Sequence, residues 1–285
     1  MVNDVMLYSL VILVALGVLA AILLYFVAQK FKVYEDPRID EVAELLPGAN
    51  CGGCGFTGCR ALAEAIVKAE SLEGKTCPGG GEAMDKIALL LGLVPPKSEP
   101  KIAVVRCNGS FANTPKKINY DAVASCAFAH SLYAGEGGCP KGCLGCGDCV
   151  KICSFSAIEM NGETGLPTVK ENCVGCGVCA KHCPRGIIEL RYRGKKERRI
   201  LVSCVNTEKG AVAKKNCSVA CIGCGKCVKV CTFEAITVEN NLAYIDFEKC
   251  KLCRKCAKEC PTGSISEVNF PPLKKEEEIL MEVEA

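Results

Sequence analysis

Four times in this chain, four cysteines recur in the spacing C-x2-C-x2-C-x3-C. The sets are Cys143, Cys146, Cys149 and Cys153; Cys173, Cys176, Cys179 and Cys183; Cys221, Cys224, Cys227 and Cys231; and Cys250, Cys253, Cys256 and Cys260. Three thiols this close can wrap an iron–sulfur cubane on one tight loop, and the fourth, carried onto the following helix, reaches the other cluster of a pair. The expected ligand sets are therefore crossed. Cys143, Cys146 and Cys149 go with Cys183, and Cys173, Cys176 and Cys179 with Cys153. Cys221, Cys224 and Cys227 go with Cys260, and Cys250, Cys253 and Cys256 with Cys231. A structural zinc ion takes four ligands, commonly as two separated pairs. A triplet plus one, in four copies, suits a polynuclear cluster instead.

A different set lies upstream. Cys51, Cys54, Cys59 and Cys77 are spaced C-x2-C-x4-C-x17-C within "CGGCGFTGC" and "TCPGGG". Glycines let the backbone bend around a bulky group, and the helix following Cys59 can turn its first amides toward an anion. Zinc also suits four thiols; a fifth [4Fe–4S] cluster is the preferred expectation. Five cysteines remain: Cys107, Cys126, Cys139, Cys204 and Cys217. They are either buried thiols acting as small apolar side chains or the source of four ligands for a sixth cluster. His182 stands beside a ligand whose thiolate set is already complete, and His130 has no supporting partners nearby in sequence. No catalytic residue is expected. No phosphate loop, no G-x-G-x-x-G after a strand and no nucleophile–base pair is present, so the chain should not bind nicotinamide or move a hydride by itself.

The elements that must hold these thiols follow from patterning. Residues 5–28 carry no charged side chain and, as a helix, would extend about 36 Å, enough for about 30 Å of hydrocarbon. A cleaved signal would want basic residues ahead of a shorter core; Asp4 is the only charge there. Lys30 and Lys32 follow the run, which places the N-terminus outside and the rest in the cytoplasm, where clustered cysteines are metal ligands more readily than disulfides. Three amphipathic helices are expected next, presenting Val42, Leu45 and Leu46; Leu62, Ile66 and Ala69; and Met84, Ile87, Leu90 and Leu91. Their core is meagre and needs a staple.

Beyond the prolines of "VPPKSEP", residues 94–100, the chain repeats itself. "KIAVVRC" at 101–107 matches "RRILVSC" at 198–204, each a strand ending in cysteine, and each is followed by a pair of cysteine motifs. Cys107 corresponds to Cys204 and Cys139 to Cys217, while Cys126 has no counterpart. The basic run 191–199 is read as a solvated linker in preference to a docking patch for an acidic carrier, and the acidic tail as solvated. A net charge of +3 gives no ground for nucleic-acid binding.

Residues 139–190 and 217–268 each resemble bacterial ferredoxins with two [4Fe–4S] clusters. Proline follows Cys183 and Cys260 as in that family, whereas Ser154 and Thr232 depart from it. The apolar N-terminal helix, "LLPGANCGGCGFTGCRALAEAI", "TCPGGG" and the ferredoxin repeats, in that order, resemble the RnfB family in its longer, doubled form. These are the iron–sulfur electron-entry subunits of membrane-bound Rnf ferredoxin:NAD oxidoreductases.

The resemblance implies a multidomain chain: a transmembrane anchor (1–32), a small helical [4Fe–4S] domain (33–93), and a linker with a strand (94–138). An α+β ferredoxin-like module (139–190), a basic linker with a strand (191–216), a second such module (217–268) and a tail (269–285) follow. It further implies a single-pass protein of the cytoplasmic membrane that takes electrons from soluble ferredoxin and relays them to other Rnf membrane and cytoplasmic subunits. Two other readings stay open: a polyferredoxin-like relay for another membrane enzyme such as a hydrogenase, and a metal-stapled adaptor or iron–sulfur sensor.

Overall fold

The computed structural model describes residues 2–31, 36–95, 99–119, 121, 123–132 and 135–271. The expected acidic tail, from residue 272, and the centre of the proline linker, 96–98, lie outside them.

Helix α1 (Val2–Lys30) is apolar on every side, and its large side chains from Met6 to Val27 are all exposed. A helix with no polar face has no soluble packing solution, and this one is long and apolar enough to cross a membrane. Helices α2 (Arg38–Leu45), α3 (Cys59–Val67) and α4 (Gly81–Leu91) share one core. Ile39, Val42, Leu46, Leu62, Ala63, Ile66, Met84, Ile87 and Ala88 fill it, with Cys54, Cys59 and Cys77 against its edge. Leu90, expected on the buried face, is 44% exposed, because α4 turns Ala88 inward instead.

Strand β1 (Lys101–Val105) is followed by α5 (Cys126–Leu132), α6 (Asp148–Lys151), β2 (Ile158–Met160), β3 (Pro167–Val169), α7 (Val178–His182) and β4 (Ile188–Tyr192). The second repeat runs β5 (Arg199–Val202), α8 (Gly210–Asn216), α9 (Lys226–Lys229), β6 (Ile236–Glu239), β7 (Leu242–Ile245), α10 (Lys255–Lys258) and β8 (Ile265–Val268). Each repeat makes two antiparallel pairs. The first strand pairs with the last, β1 with β4 and β5 with β8, and the middle strands form a hairpin, β2 with β3 and β6 with β7. The strand upstream of each cysteine motif is thus hydrogen-bonded to the strand that ends it.

Cysteine loops lead into α6, α7, α9 and α10 through residues with positive φ. Gly175 (φ 65°) also admits a close approach: a Cβ there would sit 2.4 Å from the Lys101 carbonyl oxygen. In the fourth loop Leu252 (φ 57°) and Arg254 (φ 67°) take the left-handed positions instead. Arg254 is held there by Glu267, by the Pro271 carbonyl at 3.0 Å and by the face of Phe270.

The basic run is not a solvated linker. Arg191 on β4 is 1% exposed, pairs with Glu189, donates to the Ile200 carbonyl at 3.2 Å and lies over the rings of Tyr244 and Phe247. Arg193 donates to the Glu171 carbonyl at 2.6 Å and to Cys173 O, and pairs with Glu197. Arg191 is thus drawn between the repeats by carbonyls and aromatic faces that a charge count along the chain does not see, while Lys196 of the same run is exposed.

Candidate functional site

The cysteines converge into separate groups. Cys77 is close enough to Cys54, Cys59 and Cys51 for their thiolates to repel one another, so the upstream set is brought together. Asn50 Oδ1 accepts from the Cys59 amide at 2.8 Å and fixes the start of α3. In the first repeat, Cys176 lies near Cys173 and Cys153, and Cys149 lies near Cys183. In the second, one cavity is lined by Cys221, Cys224, Cys227 and Cys260. Another is lined by Cys250, Cys253, Cys256 and Cys231. The fourth cysteine of each motif therefore stands with the triplet of its neighbour.

A further cavity is lined by Cys107, Cys139, Cys204 and Cys217. It forms where the segments after β1 and β5 meet. Asn108 N–H donates to the Ser203 carbonyl at 3.1 Å, and Ser218 N–H donates to the Asn113 carbonyl at 2.9 Å. Gly109 faces the sulfurs, since a Cβ there would lie 3.5 Å from Cys107 Sγ and 3.6 Å from Cys217 Sγ. The Cys143 amide donates to Cys107 Sγ at 3.4 Å, and buried Asn206 donates to Cys204 Sγ from its amide and to Cys139 Sγ from Nδ2. Sequence reasoning left these four unassigned. The available signal was that Cys107 with Cys139 and Cys204 with Cys217 are matched pairs, one from each repeat.

Among the described residues, no three His, Cys, Asp or Glu side chains stand close enough to hold a single metal ion. His182 lies on the wall of the Cys183 cavity with Nδ1 3.2 Å from the Val178 carbonyl.

Burial pushes Cys143, Cys179 and Cys256 up to about 12, and Cys146, Cys149, Cys204 and Cys227 up to about 11. Burial acts the same way on Cys260, but hydrogen bonds from Ser264 and Thr262 outweigh it and hold this thiol below its ordinary value. At neutral pH the raised groups are thiols in the cluster-free chain, and ligation as thiolates must expel their protons. Acid therefore opposes ligation and base favours it, up to the raised values. In competition with a chelator, the chain's apparent affinity for iron, read from visible absorbance at equilibrium, should fall between about pH 8 and pH 6 by about tenfold per pH unit for each proton taken up.

Comparison with known proteins agrees with this geometry. Families described as 4Fe-4S dicluster domains match residues 140–190, 172–235 and 220–264, and an Fe-S cluster family matches 46–78. The B-type subunit of the proton-translocating ferredoxin:NAD(+) oxidoreductase complex of Clostridium ljungdahlii is 42% identical over 91% of this chain and 91% of its own. Its counterpart in the Na(+)-translocating ferredoxin:NAD(+) oxidoreductase complex of Acetobacterium woodii is 42% identical over 90% of this chain and 76% of its own. The counterpart in the ion-translocating oxidoreductase complex of Methanosarcina acetivorans is 41% identical over 92% of this chain and 98% of its own. On that similarity the chain belongs to the RnfB family, the B-type subunits of the ion-translocating ferredoxin:NAD(+) oxidoreductase complexes.

Proposed function

We propose that this chain is a membrane-anchored relay holding six [4Fe–4S] clusters, which takes electrons from reduced ferredoxin and passes them to partner subunits of an ion-translocating ferredoxin:NAD oxidoreductase complex. Such clusters supply one-electron oxidation and reduction at potentials set by burial and by hydrogen bonds to sulfur. The observation that carries the reading is that the thiol groups form one continuous file. Cys51 of the upstream set lies near Cys176, Cys179 near Cys149, and Cys143 near Cys107. Cys204 lies near Cys221, and Cys227 near Cys256. Each group thus lies beside the next, from the helices after the anchor to the far repeat.

The ligands are the upstream set, the four crossed sets, and Cys107, Cys139, Cys204 and Cys217. The segment 33–93 is a helical domain stapled by its cluster. The repeats are ferredoxin-like α+β modules, each taking in its upstream strand. Helix α1 is a single span with its N-terminus outside and the clusters on the cytoplasmic side. Between residues 5 and 28 it has no Asp, Glu, Lys, Arg or His, so the translocated ion is carried by other subunits.

Electrons enter at the far repeat. Among all the cysteines, only Cys224 and Cys253 are exposed. Exposed Lys226, Lys229, Lys251, Lys255 and Lys258 lie on the same loops and helices and would steer an acidic carrier.

The test is anaerobic analysis of the full-length chain in detergent. About 24 irons and 24 sulfides per chain are expected, four of each per cluster, with rapid bleaching by reduced ferredoxin. Reduction by hydrogen through a hydrogenase, and not by ferredoxin, would favour the polyferredoxin reading. Zinc with little sulfide would end the relay.

A further inference from the structure

The internal repeat supplies a control for one cavity. In the second repeat, the cavity containing Cys260 is lined by all four thiols of its set. Its counterpart in the first repeat is lined by Cys143, Cys149, Cys183 and Cys126, and Cys146 is not on its wall. Cys146 Sγ instead donates to the Leu144 carbonyl oxygen at 3.5 Å, with Cys126 beside it. Cys126 is also near enough to Cys143 and Cys149 for their thiolates to repel.

Its position is built. Ser125 Oγ and the Ala127 amide both donate to Asp148 Oδ2, at 3.0 and 3.2 Å. Lys151 Nζ donates to the Ala124 carbonyl at 2.7 Å. Helix α5 is thereby fastened over α6, with its first residue at the cavity. Helix α8, which precedes the motif in the second repeat, has no cysteine.

We propose that the cluster in this cavity has five thiols for four positions, and that Cys126 and Cys146 exchange as ligands of one iron. The inference rests on the reading that a [4Fe–4S] cluster sits here. In the exchange the iron–sulfur bond to Cys146 breaks as the bond to Cys126 forms. The Cys126 thiol proton passes to the released Cys146 sulfur, so the iron's oxidation state and the total charge do not change. The counting agrees: six clusters take 24 thiolates, and the chain has 25 cysteines. The consequence is a cluster that keeps its most labile iron when one ligand is displaced.

Two measurements on the full-length chain test this. Cys126→Ala, Cys146→Ala and the double variant are compared with the parent for iron, sulfide and EPR of oxidised samples. Each single variant should hold the parent's iron, and the double should lose one to four irons, with a three-iron signal where one is lost. Loss in Cys146→Ala alone would show that Cys126 does not substitute. Loss in Cys126→Ala alone would make Cys126 a fixed ligand, and a double variant with full iron would remove both from the site; each overturns the exchange. The second measurement needs no variant. Brief alkylation of the intact holoprotein, mapped by mass, should place about one label per chain, divided between Cys126 and Cys146, and a label confined to either overturns the proposal. A parent already short of this cluster's four irons would instead overturn the underlying reading, and the exchange with it.

Discussion

A full-length chain carrying Cys204→Ala and Cys217→Ala should hold about 20 irons and 20 sulfides where the parent holds about 24, since one cluster carries four of each. The second repeat should still be reduced by ferredoxin, while the clusters of the first repeat should no longer follow on the same time scale. The reason is position. The Cys107, Cys139, Cys204 and Cys217 cavity lies between Cys143 on one side and Cys221 on the other, so it is the only step described between the two repeats. Electron transfer falls steeply with separation, and removing the middle carrier doubles one gap while leaving the others alone. Stopped-flow spectra with EPR of rapidly frozen samples would separate the two halves. Equal reduction of both halves in the variant, with iron unchanged, would mean that these four thiols hold no cluster.

The second large effect concerns Arg191. Replacing it by Ala should destabilise the contact between the repeats by about 1.5–3 kcal/mol, the range for losing a hydrogen bond made by a charged group. Arg191 comes from the last strand of the first repeat, yet its guanidinium lies against Tyr244 and Phe247 of the second and donates to the Ile200 carbonyl. Loss of the cation leaves Glu189 with Arg106, whose guanidinium also reaches the Val202 and Cys204 carbonyls, each at 3.4 Å, and the face of Tyr244. Anaerobic denaturation followed by cluster absorbance is expected to shift to lower denaturant, with the cavity shared by the repeats emptied first. An unchanged midpoint would show that Arg106 alone holds the interface.

What the sequence makes legible here is whatever is local. The four C-x2-C-x2-C-x3-C sets can be read because three thiols of each lie within seven residues of one loop, and α1 because length and charge suffice for an apolar helix. The strands 101–105 and 199–202 stand out through repetition. Their pairing with β4 and β8 does not, because partners more than sixty residues apart leave no mark in a window of ten. The four thiols between the repeats fail for the same reason: each repeat supplies two, and neither half has the spacing of a site. The basic run misleads in the opposite direction. Six cations in nine residues look solvated until Tyr244, Phe247 and the strand carbonyls are seen to surround Arg191.

The pairing of first strand with last has a consequence for how the chain is made. Strand β1 cannot close its sheet until β4 has left the ribosome, 83 to 91 residues later in register. At 5–20 residues per second that wait is roughly 4–18 s. During it the thiols of the first repeat, from Cys107 to Cys183, emerge one after another on a loop that is not yet closed. The earliest of them, Cys107, is therefore the longest open to oxygen and to the wrong metal.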